Sequence, residues 1–416
     1  MKSIIYALLL LPVVLAGQSY DLDQLVQYGL EHSWSMQGSQ LTYQSSRSNL
    51  SSATWNLMPD VDLNFNIRND FYHPDTPAKS DLSSSAGFTI SKTISLNDEA
   101  WFAYRNASLD AEQARMTYDR GVSSYAYSVF SAYIAVLSAQ KQLASLTENL
   151  AIQTRVWEQS KVLLQLGKTT SFDVKQNEIA VMNSQVLILQ MQNTISTKRQ
   201  ELFGLVQMED EGHPLADIVP ELDWEVPEFD TAGNAELAIL ESSIRQNKLN
   251  RTQNVLGYFP RLSLAYNYNR QVSGEDFNMD TYSGSHTVSL IASYSLWGPM
   301  KQRQMVKRSG FALRQAELQK NDKLDELQRQ YLLLTQELQY MKRLDELYTE
   351  KLAQSREQIK IAEERYRLGL IELLELDKVR NDYIDADINY NTNRYQIIAQ
   401  QQQINYLLSK QILGKW

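Results

Sequence analysis

The chain contains no cysteine. Disulfides, thiolate nucleophiles and cysteine metal sites are therefore excluded, and stability must come from packing or assembly. Positive charge is not in excess either. Forty Lys and Arg stand against 49 Asp and Glu, a net charge of −9 that argues against a general nucleic-acid binder. The only histidines are His32, His73, His213 and His286, and none sits at the H-x-x-x-H spacing of a metal site. No P-loop, dinucleotide fingerprint or G-x-S-x-G occurs. Gly167-Lys168-Thr169 is preceded by Leu163, Leu164 and Leu166, where a P-loop would need glycines. No cofactor, no metal and no enzymatic activity is expected. Beyond the N-terminus no run reaches 18 apolar residues, so no transmembrane helix is expected. Prolines and glycines are scarce, 9 and 16 among 416 residues, which leaves room for long regular elements.

What is present begins with MKSIIYALLLLPVVLAGQS. Lys2 is followed by an apolar core from Ile4 to Leu15, with Val14 and Ala16 suiting a cleavage site. Residues 1–16 are expected to be a signal peptide, with the cleavage position open up to residue 19.

The rest of the chain repeats itself. Pro59 in LMPDVDL corresponds to Pro260 in YFPRLSL, and Ile94–Leu96 to Tyr294–Leu296. LGKTTSFDV (166–174) corresponds to LGLIELLEL (368–376). Three landmarks in one order and one register point to an internal duplication. Residues 17–206 form the first repeat and 231–416 the second. Between them 207–230, rich in acids and prolines, reads as a linker or equatorial region.

Each repeat shows one order of elements. A helix (20–57; 231–257) leads to two alternating segments (61–68 and 87–96; 261–269 and 287–296). A very long helix follows (98–166; 300–367), then a closing helix (171–206; 371–410). Leu324, Leu327, Tyr331, Leu334, Leu338 and Met341 step by three and four, as in a coiled-coil seam. Gly167 and Gly369 each suit a left-handed helix end, giving two hairpins with tips at 167–172 and 369–372.

The alternating segments separate two faces. Val61, Leu63, Phe65 and Ile67 oppose Asp62, Asn64, Asn66 and Arg68, and similar stripes run through the other three. Segments of about nine residues cross a bilayer when tilted, or form half-buried strands of a soluble sandwich. Polar loops, 69–86 and 270–286, join the pairs. Four strands cannot close a barrel and open edges are not tolerated in lipid. A spanning sheet therefore needs several copies of the chain. Two copies give a side-chain-filled barrel and three leave room for a lumen. Asn64, Asn66, Thr93 and Ser293 are then expected to face that lumen, and Leu63, Phe65 and Leu290 the lipid.

The ordered set of these features resembles the TolC-like outer membrane efflux protein family over almost all of the mature chain. The residues that carry the likeness are LMPDVDL and YFPRLSL, the hairpin motif RYRLGLIELLELDKVR (365–380), its weaker copy LLQLGKTTSFDVKQNE (163–178), and the closing YQIIAQQQQINYLL (395–408). The resemblance implies a mainly α fold of long coiled-coil hairpins, with four β-strands per chain contributing to a shared twelve-stranded barrel. It implies a homotrimer in the cell outer membrane with a periplasmic tunnel, serving as the passive exit duct of an efflux or type I secretion system. Partners would be a periplasmic adaptor (membrane fusion protein), an inner-membrane transporter and outer-membrane lipid. The alternative is a periplasmic coiled-coil adaptor or scaffold, which would show one hairpin within a lipoyl-like β domain. The resemblance also implies roles for the tips. Gly167, Lys168, Thr170, Phe172, Gly369, Leu370 and Ile371 would meet the adaptor. Acidic residues after the second glycine would ring the closed entrance. Here Glu375 stands at six positions past Gly369, Asp173 at six past Gly167, and Lys378 at nine past Gly369, a departure from the acidic pattern. Glu375 could instead pair with Lys378 along the helix face.

Overall fold

A computed structural model describes residues 19–70, 81–219, 221–273 and 283–412. The expected leader, 1–16, lies outside the described residues. The first repeat runs α1 (Leu22–His32), α2 (Trp34–Trp55), β1 (Asp60–Asp70), β2 (Asp81–Ile94), α3 (Glu99–Gln165) and α4 (Ser171–Val206). The second runs α5 (Ala235–Leu256), β3 (Arg261–Ser273), β4 (Ser283–Ser293), α6 (Gly298–Arg367) and α7 (Leu373–Leu407).

Duplication reaches the backbone. Ser33 and Asn234, 201 positions apart, both cap the following helix. The Met36 N–H donates to Ser33 Oγ at 3.3 Å, and the Glu236 and Leu237 N–H groups donate to Asn234 Oδ1. The helices they start, α2 and α5, each have 22 residues. Gly167 and Gly369 are left-handed, and so are Gln207 and Ser409, 202 positions apart. Capping at Ser33 breaks the single helix expected over 20–57 into two. Pro59 and Pro260 each stand one residue before a strand, at a position where no ladder donor is lost.

The chain divides into two compact units. One comprises 39–120 and 233–326 and holds the sheet, an antiparallel β1-β2-β3-β4 meander. Its strands are longer than the alternation indicated, 11 to 14 residues. The expected loops 69–86 and 270–286 are therefore partly strand, and their remainder, 71–80 and 274–282, lies outside the described residues. The reason is that the ladder is a backbone property. It continues through Ser83, Ser84 and Ser85, which pair with both neighbours although they carry no hydrophobic signal. Within this unit the helices associate through polar pairs. Asn106 and Gln246 bridge α3 and α5 at 3.0 and 2.8 Å, Arg245 meets Glu112 at 2.7 Å, and Lys320 meets Glu241 at 2.6 Å between α6 and α5.

The other unit comprises 1–38, 121–232 and 327–416. Ala126, Val129, Phe130, Tyr133 and Val136 of α3 are fully buried in it. That explains why α3 contains a window apolar enough to cross a membrane, half of which is covered by packing. Part of the expected seam is buried: Leu334 and Leu338 share a hydrophobic cluster with Ile397 and Ile404 of α7. Residues 207–230 lie in this unit as a strap. Tyr20 pairs with Leu215, and the Tyr133 hydroxyl donates to Ala216 O at 2.6 Å. Trp224, Val226 and Phe229 pack on the seam. Tyr331, Lys342 and Gln401 donate to the Pro227, Trp224 and Glu221 carbonyls.

Candidate functional site

Two regions hold the residues that the sequence singled out, the sheet and the pair of hairpin tips. Each is described within its own unit.

In the sheet, register assigns every side chain to a face, because directly paired residues project to the same side. Leu63, Phe88, Tyr268 and His286 form one row, and Val61, Ile90, Tyr266 and Val288 the next. Leu63 is 85% exposed and Val288 71%, so this apolar face is uncovered in the single chain. The opposite face carries Asp62, Thr89, Asn267 and Thr287, then Asn64, Gly87, Asn269 and Ser285. Asn66 and Thr93 fall on it, as does Ser293 opposite Arg261. Hydrogen bonds run across it, from Asn64 Nδ2 to Thr89 Oγ1 at 3.4 Å and on to Asn267 Oδ1 at 2.8 Å. Lys92 breaks the apolar stripe, and the structure accounts for it. Its ammonium reaches back to the Asn56 and Met58 carbonyls, where a helix end favours a cation.

Both tips close with the same backbone device. The Lys168 N–H donates to Leu163 O and the Gly167 N–H to Leu164 O. The Leu370 N–H donates to Arg365 O and the Gly369 N–H to Tyr366 O. This double bond pattern requires the left-handed residue that glycine supplies, with φ of 68° and 71°. Past the glycines the tips diverge. Thr170 and Asp173 make a capping box: the Asp173 N–H donates to Thr170 Oγ1, and the Thr170 N–H donates to Asp173 Oδ2 at 3.0 Å. The Thr170 hydroxyl and backbone N–H, with the Thr169 hydroxyl, hold the Asp173 carboxyl below the usual carboxylate range. In the second tip Glu372 occupies the cap position without a side-chain bond, and α7 starts at Leu373, two residues later than expected.

The expected docking residues therefore separate into two groups. Phe172 and Leu370 are 73% and 68% exposed and Lys168 is exposed too. Gly167, Gly369 and Thr170 build the turns, and Ile371 packs on the hydrophobic cluster of the tip. A cleft of about 610 Å³ lies between the tips, lined by Lys168, Thr170, Asp173, Tyr366, Leu370 and Glu372 among others. Glu375 and Lys378 are both exposed in the first turns of α7, and no ion pair joins them among the described residues. Asp173 is engaged as a cap.

A charged pair that sequence reasoning passed over lies one turn further. Arg380 is 3% exposed and donates to Asp377. Its Nε and Nη1 have no partner. Burial raises the Asp377 carboxyl and lowers the Arg380 guanidinium, against their mutual attraction. The i,i+3 spacing in LDKVR was the available signal, but nothing local distinguishes a buried pair from a solvated one.

The profile of the family described as outer membrane efflux protein matches residues 25–206 and 232–409, so the chain belongs to that family. By that family it is an outer-membrane efflux protein and not an enzyme. Its fold is similar to that of the outer membrane protein VceC from Vibrio cholerae, with 14% identity and a TM-score of 0.82 over 94% of this chain and 96% of that one. The Campylobacter jejuni outer membrane channel CmeC (13%, TM-score 0.80, 93% and 85% covered) is also similar. So is the open state of the Neisseria gonorrhoeae MtrE outer membrane channel (13%, TM-score 0.81, 94% and 89%). At these identities the likeness is one of fold. A comparison with curated protein sequences gives no significant match.

Proposed function

We propose that three copies of this chain close a twelve-stranded barrel and form the exit duct of an energised inner-membrane transporter, reached through a periplasmic adaptor. The observation that carries this is the open four-stranded sheet, apolar on one exposed face and polar on the other. β1 and β4 each leave an unpaired edge, and in lipid such an edge must be paired. A second feature favours assembly. Ile179, Met182, Val186 and Leu189 of α4 step by three and four, and each is more than half exposed. That is a seam without a partner among the described residues of the chain. The adaptor alternative lacks support, because the described strands form a single sheet of two hairpins and no separate β domain.

In this reading Asn64, Asn66, Thr93 and Ser293 line the lumen and Glu375 contributes a carboxylate ring at the entrance, with Lys378 weakening it. Phe172, Lys168 and Leu370 offer the adaptor its contact. Single cysteines in this cysteine-free chain test the barrel. Those at Asn64, Asn66, Thr93 and Ser293 should react with a small aqueous thiol reagent in outer-membrane vesicles, and those at Leu63, Phe65 and Leu290 should not. Equal labelling of both sets refutes the assignment of faces. At the tip, Leu370→Asp should stop export with the trimer intact. In planar bilayers Glu375→Gln should lower cation preference without loss of the pore.

A further inference from the structure

We propose that the helices next to the sheet carry a cationic collar that binds the headgroups of anionic phospholipids in the leaflet at that rim. This rests on the reading of the sheet as membrane-embedded. The chain as a whole is acidic, with a net charge of −9, yet its charges are segregated within the sheet-bearing unit. Residues 298–316, the start of α6, contain Lys301, Arg303, Lys307, Arg308 and Arg314 and no carboxylate. Residues 242–256, the end of α5, contain Arg245, Lys248 and Arg251 and again none. Further from the sheet the same helices become mixed in sign, with Glu236 and Glu241 on α5 and with Glu317, Asp322 and Asp325 beside Lys320 and Lys323 on α6.

Five of the cations near the sheet are also unspent. Arg245 and Arg314 are paired with Glu112 and Glu317. Arg251, Lys301, Arg303, Lys307 and Arg308 are exposed and meet no carboxylate among the described residues. Of the acids at the helix–strand junctions, Asp98 caps α3 by accepting from the Ala100 N–H at 2.9 Å, Glu99 is exposed in the first turn of α3, and Asp60 and Asp62 start β1, Asp62 on the polar face. Lys301 to Arg308 lie within about 15 Å of the start of α6, at 1.5 Å per residue.

Two observations select the occupant. The collar adjoins the exposed apolar sheet face, so whatever covers that face reaches the collar. Trp55 (72% exposed) stands at the α2–β1 junction and Tyr294 (54%) and Trp297 (78%) at the β4–α6 junction, and such rings favour a membrane–water boundary. A cluster of unpaired Lys and Arg just beyond an apolar span fits the negative surface of an anionic leaflet, which attracts each such cation.

The test uses the detergent-purified full chain and counts bound lipid by native mass spectrometry. Phosphatidylglycerol is compared with phosphatidylcholine, and inorganic phosphate is the competitor. The native protein should retain phosphatidylglycerol about ten-fold better, and raised salt should erase the preference. Replacing Lys301, Arg303, Lys307 and Arg308 by Gln should remove it, while Lys301→Arg with Lys307→Arg should keep it. Equal retention of both lipids by the native protein overturns the proposal. So does an undiminished preference in the Gln variant, or displacement by phosphate at equal concentration, which would mark a general anion site. If the Gln variant fails to assemble, salt dependence in the native protein decides: none overturns the collar. Fractionation keeps the two readings apart, since absence from the outer membrane defeats the barrel, and insertion without lipid preference defeats only the collar.

Discussion

The α3–α4 and α6–α7 hairpins are copies of one backbone plan with different interiors. Their turns use the same glycine, the same left-handed geometry and the same pair of backbone bonds. Their contents differ at nearly every equivalent position. α4 presents a largely exposed surface with an apolar seam, whereas α7 buries Leu376, Ile397, Ile398 and Ile404 completely. Lys175 and Glu178 make an exposed ion pair on α4. Two hundred and two positions on, Asp377 and Arg380 make the pair with reversed polarity, and it is buried. Local chemistry sets where a chain turns, and packing sets what the helices carry. Duplication preserved the first and released the second. One hairpin is then free to supply an outer seam and the other an inner one.

The largest expected effect breaks this asymmetry at the ion pairs. Asp377→Leu leaves a buried guanidinium with no acceptor at all and should cost roughly 3–5 kcal/mol. Lys175→Gln removes an exposed pair and should cost at most about 0.5 kcal/mol. Thermal melting of the two variants should separate them widely. The joint replacement Asp377→Leu with Arg380→Met should recover most of the loss, since it removes both charges. Comparable losses at the two sites would show that the hairpins are energetically alike.

The glycines should behave equally. Gly167→Ala and Gly369→Ala each force a side chain into the left-handed region, at about 1–2 kcal/mol apiece. No neighbour would clash at either site, so the cost is conformational. A large difference between them in denaturant midpoint would mean that the tips do not share one turn.

Caps give a smaller and again unequal effect. Thr170→Ala should cost about 1 kcal/mol, because it removes the hydroxyl that receives the Asp173 N–H. Glu372→Ala should cost almost nothing, since Glu372 makes no cap bond. Glu372→Thr should stabilise the second tip by no more than about 0.5 kcal/mol, since the Glu375 N–H already donates to the Glu372 carbonyl at 3.1 Å. Hydrogen exchange of the first-turn amides of α4 and α7 reads each outcome.

The smallest effect is in pH. The Asp173 carboxyl is lowered by its Thr170 and Thr169 bonds. Its contribution is whole above the ordinary carboxylate range and fades as pH falls through the lowered value. The Asp377 carboxyl is raised by burial, so its contribution has the opposite sign, present at low pH and lost as pH rises through the raised value. Acid should therefore loosen the α4 start while leaving the region around Asp377 as firm or firmer. Parallel loosening, after correction for intrinsic exchange, would contradict the opposed signs.

Much of this plan was legible in the sequence because it rests on local signals. Pro59 and Pro260 announced strands, Gly167 and Gly369 announced turns, and alternation gave the two faces of the sheet. The limits were just as physical. Ser83 to Ser85 hid the true strand length, since backbone pairing leaves no hydrophobic mark. Residues 207–230 looked like a linker, because Trp224 and Phe229 find their partners only in the folded unit. Lys92 looked like a fault in its stripe until the Asn56 and Met58 carbonyls came within reach. Among the tip residues, exposure of Phe172 and Leu370 and burial of Arg380 depend on neighbours far along the chain, which spacing alone does not encode.

The central claim is that copies of this open sheet close on one another in threes. Cysteines placed together at Asn64 on β1 and Thr287 on β4, joined by a short bis-maleimide in outer-membrane vesicles, test it directly. Both positions lie on the polar face, and β1 and β4 are the two unpaired edges. A denaturing gel should show a ladder of covalent dimer and trimer that stops at three chains. A ladder that stops at two, continues beyond three, or never leaves the monomer would contradict the account.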